Sequence, residues 1–343
     1  MRIALAHSHA NTFGGGERAV LELARGLSER GYDVRLLLGG FHPNRTYPEL
    51  ETLRVKRIGR LRWPLLRIHD DAIVTNTFGA NLLSLRNGAR VVYWAHTTRS
   101  VFLRSPSRRL DLRVRRALDW FAVRRAARLV ANSRFTAGRL RSLYGRDADA
   151  VVYPGVDLDL FRPGESAATA YAITVGRLAP EKGLDRLVEL WRELPDIPLH
   201  VVGDGRPELV HELRRMAPAT VVFRGSMGAA DLARAYREAS VAVFAPYGEE
   251  FGIAPVEAMA SGVPVVAWRD GGIQETILDS ETGYLVNDAV TLRQRVRLLL
   301  HDPRRRAQFG LAARRRAEQF SWASTVTQME TVLRGLQLRA SEA

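Results

Sequence analysis

The feature that most constrains this chain is a repeated switch between two hydrophobic periods. Short apolar runs that suit buried strands alternate with longer stretches of helical spacing along nearly the whole length. That alternation calls for parallel sheets covered by helices, an α/β architecture. In the first half RIALAH (2–7) reads as a buried strand, GGG (14–16) as a turn, and 17–31 as an amphipathic helix ending at Gly31. Further strands are read at 33–40, 72–77, 90–96 and 128–132, with an Arg-rich helix over much of 106–127 and another helix from Ser133. VVYPGV (151–156) closes the half, and FRPGESAAT (161–169) reads as a linker. The alternation then restarts, with strands at 171–176, 198–205, 220–225, 240–246 and 263–268, each but the last leading into a helix. The Arg-rich stretch 288–337 reads as all-helical. The expected organisation is two doubly wound domains, 1–165 and 170–320, with a last helix over 321–343 packing back on the first. A length of 343 residues agrees with two domains of ordinary size.

Composition narrows the chemistry. There are no cysteines, which excludes disulfides and thiolate metal sites, and the eight histidines show no paired ligand spacing. The apolar run of MRIALAHSHA stops at His7, too short for a signal peptide, and no stretch approaches the roughly 18 apolar residues of a membrane span. A cytoplasmic protein is expected. The net charge is +14, and residues 99–146 hold fourteen Arg against Asp111 and Asp119. Such a block suits an anionic membrane surface, a phosphorylated acceptor or, less well for want of interleaved aromatics, nucleic acid. Within it Leu110, Val114, Leu118 and Phe121 fall along one side of the helix. That stripe is either core beneath a solvated basic face, which is the expectation, or a face that docks on the inner side of a membrane.

The loops after strands carry the chemistry in such sheets. Gly14, Gly15 and Gly16 let backbone N–H groups approach an anion at a helix start, although a tight turn alone explains them equally well. Glu17 is accounted for by the helix dipole. In VGRLAPEKG (175–183), Arg177 and Lys182 offer a fork and a point charge that suit a diphosphate; two solvated cations are the bland alternative. Lys182 is one of only two lysines, the other being Lys56. In EEFGIAPVEAMASGVPVV (249–266), Glu249 follows a strand and Glu257 is placed in the first turn of the next helix. Carboxylates there are good partners for sugar hydroxyls, and the amides of Gly252 and Ile253 point at an anion. A glycosidase acid/base pair would leave the phosphate-binding loops without a task.

With GGGE (14–17), ANSRFT (131–136) and VVYPGVDLDLFRP (151–163), these motifs resemble the retaining glycosyltransferases of family 4, over essentially the whole chain. The resemblance implies the GT-B fold, two Rossmann-like domains facing across a cleft that holds a nucleotide-diphosphate sugar. It implies that Arg177 and Lys182 neutralise the diphosphate and that Glu257 holds the ribose. Glu249, with amides near Phe251 and Gly252, holds the donor sugar, and Gly15 and Gly16 reach the distal phosphate. His96 matches a family histidine near the reacting carbon. Glu250 departs from the pattern, where Gly or Pro is common. The implied reaction is metal-independent transfer of a hexosyl-type sugar, with retention, to a sugar, lipid-linked or small-molecule acceptor. No cofactor is expected beyond the donor itself, with UDP the expected nucleotide and GDP or ADP the alternatives. The competing class is a GT-B phosphorylase or nucleotide-sugar epimerase.

Overall fold

A computed structural model of the chain describes residues 1–10, 14–42, 46–59, 62–96, 110–164 and 171–341. It divides into two compact units, Met1–Gly155 with Trp322–Ala343, and Val156–Ser321.

The first unit is built on strands β1 (Arg2–His7), β2 (Asp33–Leu38), β3 (Val55–Arg57), β4 (Ala72–Thr75), β5 (Val91–Ala95), β6 (Arg128–Ala131) and β7 (Ala150–Val151). They form one parallel sheet in the order β3-β2-β1-β4-β5-β6-β7. Successive residues of β1 point to opposite faces, Ile3 and Leu5 into one core and Ala4 and Ala6 into the other. Burial on both faces is why its sequence is a continuous apolar run rather than an alternation. Helix Gly15–Glu29 covers the first face with Leu21, Leu23 and Leu27. The last helix, Trp322–Ser341, joins the same core through Val326, Met329 and Leu333. It is pinned there by Glu330, which takes Arg30 at 2.5 Å and the Tyr32 hydroxyl at 2.7 Å.

The second unit repeats the plan with β8 (Ala172–Val175), β9 (Leu199–Val202), β10 (Val221–Gly225), β11 (Val241–Phe244), β12 (Val265–Trp268) and β13 (Gly283–Val286). All are parallel, in the order β10-β9-β8-β11-β12-β13. Its core gathers Leu187, Trp191, Leu199, Val243 and Val266, and Trp191 donates its indole N–H to the Ile197 carbonyl at 2.8 Å.

The unit begins at Val156, ahead of the segment read as a linker. Val156 bridges Ser321, and one Arg314 guanidinium nitrogen donates to the carbonyls of Leu158, Phe161 and Ala260 at 3.1, 2.9 and 3.0 Å. These contacts tie 156–161 to the second sheet's helices. Of the 161–169 stretch, residues 165–169 lie outside the described residues, as does 99–109 of the Arg-rich block. No helix among the described residues is long and apolar enough to cross a membrane.

Candidate functional site

In each sheet the strand order reverses once, between β1 and β4 and between β8 and β11. The carboxyl ends of such neighbouring strands splay their loops apart and leave a crevice for a ligand. The sequence puts its chemical motifs at these two places.

In the second unit the loop after β8 carries Arg177 and Lys182, and the loop after β11 carries Glu249 to Gly252. Gly183 lets the loops meet. Its φ is +64°, and a Cβ there would lie 1.9 Å from the Ala245 carbonyl oxygen. The Tyr247 amide donates to the Glu181 carbonyl at 2.9 Å across the same seam. Lys182 ends a short 3-10 turn, Pro180–Lys182, and its Nζ lies 2.6 Å from Glu249 Oε2. Arg177 takes a different partner, Glu181, at 2.8 Å and stays two-thirds exposed. Its guanidinium is therefore available to an incoming anion at the small cost of loosening a surface ion pair.

Gly252 caps helix Ile253–Ala260 with φ +93°, and a Cβ there would stand 2.9 Å from Ile273 Cγ1. The cap residue Gly252 offers no side-chain cap, so the Ile253 and Ala254 amides are presented at a helix N-terminus. The Phe251 side chain is buried, its ring 5.5 Å from that of Phe320, which leaves its backbone as the part that can face a ligand. Glu257 is the fifth residue of the helix, one turn deeper than the first-turn position read from sequence. The Tyr236 hydroxyl lies 3.5 Å from its Oε2 and donates to the Ala254 carbonyl at 3.1 Å. Burial and Glu257 push the Tyr236 phenol well above its ordinary value, so it remains a proton donor. The structure thus joins Lys182 to Glu249 directly, whereas Arg177 and Glu257 are engaged with neighbours that sequence reasoning missed.

In the first unit, polar side chains stand at the carboxyl ends of four adjacent strands: His7, Asn76, His96 and Asn132 after β1, β4, β5 and β6. Asn76 Nδ2 donates to the Gly16 carbonyl at 3.1 Å, which turns Oδ1 toward His7 Nδ1 at 2.7 Å. That orientation makes Nδ1 the protonated nitrogen of His7 and aims Nε2 at Glu17 Oε1, 3.8 Å away. Glu17 is 6% exposed. The helix dipole is therefore an insufficient account of it; it belongs to a buried polar cluster. His96 sits against Trp94, ring centroids 4.1 Å apart, and its Nε2 is buried with no hydrogen-bond partner among the described residues. Burial, reinforced by His7, lowers its pKa to about 3, so the imidazole is neutral at physiological pH. Asn132 Oδ1 is likewise buried with no partner among the described residues. Buried polar atoms without partners are costly, and several on one sheet edge mark where a polyhydroxylated ligand could bond. Gly15 and Gly16 open the helix beside them, and its cap residue Gly14 offers no side-chain cap.

Residues 158–316 match the family described as glycosyl transferases group 1, and residues 13–160 match glycosyltransferase family 4. The chain belongs to the family 4, group 1 glycosyltransferases. Among its relatives, D-inositol 3-phosphate glycosyltransferase 2 of Catenulispora acidiphila is 38% identical over 230 residues, 58% of this chain and 54% of its own length. The D-inositol 3-phosphate glycosyltransferase of Segniliparus rotundus is 31% identical over 301 residues, 78% of this chain and 66% of its own. The family 4 chain spans about half the length of the first curated relatives it matches. Two solved structures share the GT-B fold. Sucrose-phosphate synthase from Thermosynechococcus elongatus superposes with a TM-score of 0.82 at 24% identity, covering 99% of this chain and 100% of that one. HepE of Anabaena in complex with UDP and glucose gives 0.83 at 22% identity, covering 98% and 100%.

Proposed function

We propose that this family 4 chain transfers a hexosyl-type sugar from a nucleotide-diphosphate sugar to a hydroxyl acceptor, with retention of configuration and without a metal ion. The observation that carries the reading is the Lys182–Glu249 pair at the β8/β11 crevice, beside the uncapped start of helix Ile253–Ala260. Breaking the bond between sugar and diphosphate leaves negative charge on phosphate and positive character on the ring. Fixed cations and amides on the leaving group stabilise that separation more than they stabilise the bound donor. Lys182 and Arg177 supply the cations and the Ile253 amide supplies a dipole. In the empty site Glu249 neutralises Lys182; as the diphosphate takes over that ammonium, the Glu249 carboxylate turns to a donor-sugar hydroxyl. Glu257, backed by the Tyr236 phenol, accepts from the ribose hydroxyls.

Neutral His96, whose Nε2 has no partner among the described residues, is proposed to bond a sugar hydroxyl. Retention follows if the acceptor attacks from the leaving-group face and passes its proton to the departing phosphate oxygen. No separate general base is then needed. The proposed donor nucleotide is UDP, supported by the UDP and UDP-glucose complexes of HepE, with GDP and ADP as alternatives. The proposed acceptor is a sugar, a lipid-linked or a small-molecule hydroxyl compound; the relatives are named D-inositol 3-phosphate glycosyltransferases. The proposed place of action is the cytoplasm.

A thermal-shift screen with UDP-, GDP-, ADP- and TDP-sugars tests the reading. One of them should raise the melting temperature of the wild type and not of Lys182→Ala, and turnover with it should survive chelation. A chain stabilised by none of them, or activity lost to chelator and restored only by a divalent ion, contradicts the proposal.

A further inference from the structure

Three segments of the second unit are stitched together by hydrogen bonds around Glu249. The Tyr247 amide reaches the Glu181 carbonyl, the Gly248 amide donates to Asp270 Oδ2 at 2.7 Å, and the Gly272 amide donates to the Glu249 carbonyl at 2.6 Å. One side chain joins the same three segments from the helix side. Arg186 stands in the first turn of helix Leu184–Trp191, which follows the β8 loop. Its Cζ lies 4.0 Å from the Tyr247 ring centroid and 4.3 Å from that of Trp268. Tyr247 belongs to the loop after β11, and Trp268 is the last residue of β12. A flat guanidinium can lie against two rings at once, held by cation–π attraction to each.

The surroundings of Arg186 argue against a bystander. Its Nη1 is buried with no hydrogen-bond partner among the described residues, a costly state for a donor and one that a leucine in its place would avoid. A leucine, however, could not hold both rings by one flat charged group. The Tyr247 ring is 37% exposed, so packing alone does not fix it, and its hydroxyl is 3.5 Å from Asp185 Oδ2, at the edge of a hydrogen bond. Tyr247 is two positions from Glu249 along the same loop, so a swing of the ring is passed to the carboxylate that meets Lys182 Nζ at 2.6 Å. We propose that Arg186 is a positioning residue: by clasping Tyr247 and Trp268 it fixes the three segments in the register that sets Glu249 against Lys182. The consequence for donor binding rests on the function proposed above; the clasp itself is a matter of loop geometry and has its own readout.

Two measurements on the full chain test this. Amide hydrogen exchange without ligand follows the loops: in Arg186→Met the amides of Tyr247, Gly248 and Gly272 should exchange about tenfold faster, while those of β9 keep the wild-type rates. Calorimetric titration of UDP, at a temperature where every form is folded, reads the consequence. Arg186→Met and Tyr247→Leu should each weaken UDP about five- to tenfold. Arg186→Lys should weaken it too, because an ammonium has no flat face, whereas Tyr247→Phe should bind like the wild type. Arg295→Met removes a similar stack, 4.6 Å over the Tyr284 ring and outside the three loops, and should leave UDP affinity unchanged even if it lowers the melting temperature. Exchange unaltered in Arg186→Met overturns the proposal, as does UDP affinity unmoved in Arg186→Met when the wild type binds. Equal weakening in Arg295→Met overturns it by reducing the effect to general stability, and full binding by Arg186→Lys by reducing it to charge. A wild type that binds no UDP refutes that nucleotide as donor, a separate failure, and the exchange pattern then decides the positioning by itself.

Discussion

The two crevices compared side by side show one fold carrying opposite electrostatics. At β8/β11 the functional groups are ionised and partly wet: Arg177 is largely exposed, and Lys182 is held by Glu249 at 2.6 Å. At β1/β4 they are buried, the Glu17 carboxylate among them, and His96 is neutral, held so by burial and by His7 against the pull of Glu17. A diphosphate must be met by full charges that can exchange a carboxylate for a phosphate. A sugar hydroxyl can be met by buried donors and acceptors in a dry setting, where each bond counts for more. The topology that splays the loops is common to both; the side chains divide the labour.

The comparison breaks most easily at Lys182. Lys182→Ala should lower turnover by about 10²–10³, on the order of 3–4 kcal/mol in the barrier, with an unchanged circular dichroism spectrum. Turnover like that of the wild type would place the leaving-group charge elsewhere. Next in size is Gly183→Ala, because the new methyl group meets the Ala245 carbonyl at 1.9 Å in a left-handed backbone. A loss of about 1–3 kcal/mol in denaturant-unfolding stability is expected, together with weaker donor binding as the two loops part. An unperturbed melting curve would mean that the loops do not depend on this contact.

In the buried crevice the effect is read through pH. A histidine whose folded pKa is about 3, below its ordinary 6.5, binds fewer protons folded than unfolded. Stability is therefore free of this penalty above pH 6.5 and declines as pH falls from 6.5 toward 3. His96→Asn should flatten that part of the stability profile, read by urea midpoints at several pH values. The slope should be the same for both proteins if His96 is instead solvated and charged. The smallest effect is expected at the Arg177–Glu181 pair, whose arginine is two-thirds exposed. Glu181→Gln should change stability by less than about 1 kcal/mol while tightening donor binding slightly, as Arg177 is released. A large destabilisation would show the pair to be structural.

Much of this was legible in the sequence because buried parallel strands are short, apolar and regularly interrupted. RIALAH, AIVTNT and SVAVFAP name β1, β4 and β11 nearly to the residue. Two strands escaped. Val55–Arg57 has only one partly buried side chain, so nothing apolar marks it; Gly283–Val286 is four residues among turns. The last strand of the first sheet is only Ala150–Val151, and Pro154 and Gly155 just beyond it cannot continue a ladder. The charged site was legible in outline because Arg, Lys and Glu in loops are conspicuous and their spacing is local. The buried cluster was not. His7, Asn76 and Glu17 come from three separate segments, and only strand order brings them together. Tyr236 meets Glu257 across twenty-one residues with no motif joining them. The basic helix Leu110–Arg125 misled in the other direction: Val114, Leu118 and Phe121 are exposed and not core, because periodicity finds an apolar stripe but cannot say which side the sheet lies on.

The most direct test of the central claim is calorimetric titration of UDP and of uridine into wild type, Lys182→Ala and Glu249→Gln. If Lys182 grips the diphosphate, its loss should weaken UDP by about 10- to 100-fold, the worth of a charged hydrogen bond, and leave uridine untouched. Glu249→Gln, which frees the ammonium, should tighten UDP severalfold. UDP affinity indifferent to both substitutions, or UDP and uridine falling together, would contradict the account.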